Sequence, residues 1–189
     1  MKVALFFGSY NPIHIRHLII ADNILNNTEA ESIWMVVSPQ NPFKNKKDLL
    51  NQHQRLHIVR TAIEGNHKIQ ASDIEFQLPQ PSYTIDTLTI LKDKYPQHEF
   101  SIIMGSDNLT NFHLWKNYEL ILKNHKIFVY KRSIDFTSPI QHPNIQLLDV
   151  PILDISASYI RQCIKEKKSI QYLVPESVKE EIEKGRYYK

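Results

Sequence analysis

Short apolar runs alternate along the chain with longer segments in which apolar residues recur every three to four positions. The runs KVALFF (2–7), SIWMVVS (32–38), KIQASDIEF (68–76), EFSIIMG (99–105), KIFVYKR (126–132) and NIQLLDV (144–150) have the length and composition of strands. Between them, HLIIADNILNN (17–27) places Leu18, Ala21 and Leu25 at helical spacing, with Ile20 and Ile24 beside them. Segment 49–65 carries Leu56, Val59 and Ile63 on one face and stops at Gly65, a typical helix-ending residue. A helix is predicted over 84–95, capped by Thr84 and closed by Pro96. Residues 106–124 read as loop and helix, and 156–168 and 175–188 as helices, with Pro175 in the first turn of the last. Segment 41–48 reads as a lysine-rich loop and 133–143 as a surface loop.

Six strands alternating with helices predict βαβ crossovers, hence an α/β fold: a single doubly wound, mainly parallel sheet flanked by helices. No repeat or long linker divides the chain, so one domain is expected over 1–189, with a helical part from about 156 to 189. In such sheets ligands bind beyond the carboxyl ends of the strands, where the strand order reverses. Gly8, Ser38, Gly105, Asp107 and Arg132 fall at or just past predicted strand ends, so one crevice can collect them all.

Composition narrows this only slightly. Hydrophobic content of 42% and charged content of 23% are ordinary for a globular protein. A net charge of +3 is too small to argue for nucleic acid, and the cations are not interleaved with an aromatic platform. A few cations facing a small phosphorylated ligand fit equally well. The lone Cys163 excludes an intrachain disulfide and suits a reducing compartment. No run approaches the roughly 18 apolar residues of a membrane span, and the apolar part of MKVALFFGSYNP is too short for a signal peptide. A cytoplasmic protein with no membrane or nucleic-acid partner is expected.

Two stretches carry candidate chemistry. In GSYNPIHIRH (8–17), Gly8 lets backbone approach a ligand, Pro12 stiffens the loop, and a helix starting near His14 offers N–H donors to an anion. His14 and His17 lie one turn apart and can face the same spot. Alone, such a pair is as readily surface decoration or a capping aid, and no third ligand at usual spacing completes a zinc site. In ISASYIR (155–161), Ser156 can cap a helix, Ser158 lies in its first turn and Arg161 can reach back toward it. Alone, that is equally a simple cap beside a solvated arginine.

Taken together, GSYNPIHIRH resembles the G-x-F-x-P-x-H-x-G-H signature of the nucleotidyltransferases, and ISASYIR resembles their I-S-S-T-x-I-R signature. SPQNPFK, PSYTIDTL, GSDNLTNFHLWKNYELIL and YLVPESVKEEI are similar to segments of the bacterial nicotinate mononucleotide adenylyltransferases, so the resemblance spans the chain. It implies a Rossmann-like fold and transfer of the adenylyl group of ATP to nicotinate mononucleotide, with Mg²⁺ carried mainly by the ATP phosphates and no protein metal ligands. Adenylyl transfer to nicotinamide mononucleotide or to another phosphorylated acceptor such as phosphopantetheine, and nucleotide binding without chemistry, remain open, as does a homo-oligomer. By the resemblance, His14, His17, Lys44 and Arg161 act on the phosphates. Gly8, Ser9, Tyr10, Gly105, Asp107, Arg132, Ser156 and Ser158 belong to the ATP side. Tyr83, Thr84 and Trp115 belong to the mononucleotide side, with Trp115 stacked on the pyridine ring.

The sequence departs from the pattern at Phe7, Asn11, Phe43, Ala157 and above all Arg16, which stands where a glycine leaves room for adenine. In ordinary helical backbone Arg16 carries no strain, and its side chain can swing outward. Activity with Arg16 in place is therefore expected. Kinetics of Arg16→Gly check this: the KM for ATP should fall by less than about tenfold, because a larger fall would mean that the arginine obstructs the base.

Overall fold

The computed structural model describes residues 1–39 and 49–189. Its six strands, β1 (Lys2–Gly8), β2 (Ser32–Val37), β3 (Ile69–Ser72), β4 (Glu99–Gly105), β5 (Ile127–Tyr130) and β6 (Ile145–Leu148), form one sheet in the order β3-β2-β1-β4-β5-β6. Every neighbouring pair is parallel. The chain winds outward from β1 through β2 to β3, then returns to the other side of β1 with β4. The reversal therefore lies between β1 and β4, and Gly8 and Gly105 end those two strands.

Side-chain alternation along the strands divides the core into two layers. On one face Ala4, Phe6, Ile33, Met35, Val37, Ile103 and Phe128 meet α1 (Ile15–Asn27), α2 (Gln52–Ala62), α6 (Ala157–Lys165) and α7 (Glu176–Gly185). On the other, Val3, Leu5, Val36, Ile102, Met104 and Val129 meet α3 (Thr84–Lys94), α4 (Ser106–Thr110) and α5 (Tyr118–Asn124). The central strands are buried on both sides, which is why they read as unbroken apolar runs rather than alternating ones.

Three local readings need correction. The third strand stops at Ser72, not Phe76: Ser72 Oγ accepts from Ile74 N at 3.4 Å and Asp73 O from Phe76 N at 2.8 Å. These short-range bonds use N–H groups that a ladder would need, and Ile74–Gln77 becomes a 3-10 turn that carries Glu75 inward. The N-cap of α3 is Tyr83, with Thr84 its first helical residue, and Pro175 is the N-cap of α7. The lysine-rich loop of 41–48 lies outside the described residues.

After β1 the chain turns sharply. Tyr10 takes a left-handed φ of 46°, its ring folds back under Gly8, and its hydroxyl donates to Phe6 O at 2.5 Å. A Cβ at Gly8 would lie 2.8 Å from Tyr10 Cζ, and the ring is buried with nowhere to move. Gly8→Ala should therefore destabilise the protein by about 1–3 kcal/mol, read as a lower urea midpoint at unchanged m-value.

Candidate active site

The loop after β1 and the start of α1 present the two histidines. His14 is the N-cap of α1 and only 4% exposed; its Nδ1 is buried and, among the described residues, makes no hydrogen bond. His17, one turn on, is half-buried, and its ring centroid lies 3.8 Å from that of His14. The backbone N–H of His14 donates to His17 Nδ1 at 3.3 Å. That bond leaves Nδ1 without a proton, so the neutral ring carries its proton on Nε2 as a donor. Not every amide at this helix end is available to an anion, since Ile15 N donates to Leu173 O at 3.1 Å.

The second stretch arrives at the same place. Ser156 caps α6 by accepting from Tyr159 N at 3.2 Å. Arg161, on α6, reaches back toward that helix end, where its Nη2 lies 3.4 Å from Ser158 Oγ. Its Nη1 donates to the carbonyl of Asn11 at 2.8 Å, across a sequence separation of 150. The two signature segments are thus joined by a direct hydrogen bond at the carboxyl end of β1.

Around the end of β4, Asp107 Oδ1 pairs with Arg132 Nε at 2.8 Å, both half exposed. The backbone N–H of Arg132 donates to the buried Ser106 Oγ at 3.1 Å. Gly105 sits beneath them: a Cβ there would come within 2.8 Å of Arg132 Nε. On the far side of β1, Tyr83 is 44% exposed and Thr84 half-buried at the start of α3. Lys116 Nζ lies 4.9 Å from the Tyr83 ring centroid and binds Asp86 at 2.9 Å, which ties the segment of half-buried Trp115 to Tyr83 and Thr84. Lys44 lies outside the described residues.

Two buried polar residues escaped the sequence reading. Arg55 on α2 is fully buried and donates to four backbone carbonyls, those of Ser9, Ser38, Pro39 and Leu50. A signal existed, because Arg55 shares the i, i+4, i+8 face of Val59 and Ile63, where a charge is out of place. Glu75 is 3% exposed and accepts from Thr87 Oγ1 at 3.0 Å. Burial raises its carboxyl pKa, and hydrogen bonds from Ser38, Thr87 and Ser82 oppose the rise. This links the end of β2 to the segment leading into Tyr83. No pattern in SDIEF announced it.

Chemically, the two signature segments bring imidazoles, hydroxyls and a guanidinium to the carboxyl end of β1. Among the described residues no group of three His, Cys, Asp or Glu side chains could hold a metal ion. The imidazoles, hydroxyls and guanidinium suit a polyanion rather than a bare divalent cation. Two concavities of about 700 and 520 Å³ lie elsewhere, one toward the amino ends of β1 and β4 and one between α1 and the end of α2.

Comparison with known proteins identifies the family and the fold. A family profile described as Cytidylyltransferase-like matches residues 5–163. A protein of Flavobacterium johnsoniae named "Probable nicotinate-nucleotide adenylyltransferase" is 53% identical over 192 residues, covering 100% of both chains. One of the same name from Cytophaga hutchinsonii is 51% identical over 189 residues, covering 100% of this chain and 98% of its own. Among solved structures, the nicotinic acid mononucleotide adenylyltransferase of Plasmodium falciparum complexed with NaAD superposes with a TM-score of 0.80 at 22% identity, covering 99% of this chain and 97% of that one. At that identity it bears on the fold.

The His14 imidazole pKa is lowered to about 4, chiefly by burial and then by the charge of Arg16. In the unfolded chain it lies near 6.5. Between about pH 6.5 and 4 the unfolded chain binds a proton that the folded chain refuses, so stability falls as pH drops through that window. Urea unfolding of wild type and His14→Gln at neutral and acidic pH checks this. The acid-induced loss should be smaller in the variant, by up to about 3 kcal/mol.

Proposed function

The chain belongs to the cytidylyltransferase-like family, among the nicotinate-nucleotide adenylyltransferases, and from that membership we propose that it transfers the adenylyl group of ATP to nicotinate mononucleotide. The products are nicotinate adenine dinucleotide and pyrophosphate. The observation that carries the site is the Arg161–Asn11 hydrogen bond, because it draws both signature segments onto one spot beyond β1 and β4. Among the described residues no helix is long and apolar enough to cross a membrane.

A phosphate oxygen of the mononucleotide attacks the α-phosphorus of ATP. The new O–P bond forms as the bond to the β-phosphate bridge breaks, and pyrophosphate leaves with that electron pair. The acceptor phosphate is already a nucleophile, so the protein's task is positioning and charge stabilisation. His17 offers an Nε2–H to the phosphates and His14 a neutral imidazole beside it. Arg161 and Lys44 supply charge, while Ser156 and Ser158 line the far phosphates. Gly8, Ser9 and Tyr10 form the floor, Gly105 leaves space at the end of β4, and the Asp107–Arg132 pair faces the nucleoside. Tyr83, Thr84 and Trp115 receive the mononucleotide. Mg²⁺, when bound, would neutralise phosphate charge and be carried mainly by the phosphates; among the described residues no group of three His, Cys, Asp or Glu side chains could hold it.

The test is pyrophosphate release from ATP and Mg²⁺ with nicotinate mononucleotide, nicotinamide mononucleotide and phosphopantetheine in turn. The nicotinate form should give the highest kcat/KM, and silence with all three would overturn the reading. His14→Ala and His17→Ala should each lower kcat by about 10²-fold or more.

A further inference from the structure

Arg55 is a buried cation that touches no carboxylate among the described residues. Its Nε donates to Leu50 O at 2.8 Å, Nη1 to Ser9 O at 2.5 Å and Ser38 O at 2.8 Å, and Nη2 to Pro39 O at 2.8 Å. These carbonyls belong to the loop after β1, the loop after β2 and the lead-in to α2. Burial lowers its pKa only to about 10, so it remains charged at neutral pH. Burying an ion without a counter-ion costs several kcal/mol, and an apolar residue on this helix face would avoid that cost. What an apolar residue cannot supply is a rigid fan of five N–H donors that reaches three loops at once.

A second observation concerns the residues beyond α7. The chain reverses there through Arg186 and Tyr188, with φ values of 51° and 66°, and Tyr187 folds over Gly185 into space that a Cβ would fill. Helix α7 is held to α2 by a His57–Glu181 contact at 3.2 Å and a Ser177 Oγ to Thr61 O bond at 3.4 Å. Tyr188 thereby packs against the core face that holds α2, its hydroxyl buried and, among the described residues, without a hydrogen-bond partner.

We propose that Arg55 is a positioning residue for the adenylyl transfer: it holds the carbonyls of Ser9, Ser38 and Pro39 in one frame, fixing the loop beneath His14 and His17. The kinetic part rests on the function proposed above; the structural part does not.

Arg55→Lys keeps the charge and loses the fan. Well below its melting temperature, kcat per folded molecule should fall by about tenfold or more while the KM for ATP changes by less than about threefold. Hydrogen exchange should quicken at the amides of residues 8–11, 38 and 50–52 and stay unchanged in β4 and β5. A kcat within about twofold of wild type, or exchange that quickens evenly across the sheet, overturns the proposal. Should Arg55→Lys not fold, exchange of the wild type in sub-denaturing urea must show the amides of residues 8–11, 38 and 50–52 opening together in one step, and independent opening of the three segments overturns the proposal. If wild type releases no pyrophosphate with any acceptor, the functional reading fails and the exchange pattern alone decides the role of Arg55.

Discussion

A loop that leaves the central strand of a parallel sheet exposes carbonyls that no ladder can satisfy. Here two arginines from distant helices satisfy them: Arg55 takes Ser9 and Arg161 takes Asn11. Each bond closes a large chain separation, and each is charge-assisted, hence stronger than a bond between neutral groups. The loop in turn fixes the start of α1, and with it the imidazole of His14. These bonds add to the core packing of Tyr10 and Ile13 and to the Ser38 N–Gly8 O bond in relating the histidines' segment to β2 and α6.

The same arrangement sets the electrostatics. The loop is held by cations rather than by neutral amides, so positive charge accumulates around β1 although the whole chain carries only +3. Carboxylates nearby are already engaged: Asp107 by Arg132, Asp86 by Lys116, and Glu75 within a network of hydroxyls. Arg161, by contrast, is held by a carbonyl and a hydroxyl, so its charge faces a polyanion at this end of the sheet unneutralised by either partner.

Much of this was legible in the chain. Strand-helix alternation gave the doubly wound sheet because central parallel strands must be apolar on both faces, and Gly8 and Gly105 marked the strand ends at the reversal. The pairing of His14 and His17 followed from helical spacing, and the capping of α6 by Ser156 from residue type. What could not be read were interactions that link remote backbone to side chains. Arg161 was expected to turn toward its own helix end, which it does, but a carbonyl 150 residues away is invisible to local pattern. Arg55 was passed over because apolar spacing counts the residues that fit a face and overlooks the one that does not. The third predicted strand ran too long because Ser72 and Asp73 bond locally, a competition that strand propensity does not register.

Burial gives the two histidines unequal parts. His14, nearly enclosed and beside Arg16, is neutral at pH 7 and contributes shape and dipole rather than charge. The permanent charge must then come from groups that burial cannot neutralise, and guanidinium is the side chain that keeps its proton in such surroundings. A polyphosphate bound beside His14, as proposed above, would favour the protonated ring and oppose both burial and Arg16. On that proposal the proton affinity of this imidazole would rise with the ligand in place. That serves charge stabilisation better than a permanently charged ring, since the free protein does not bear the cost of burying one more uncompensated cation.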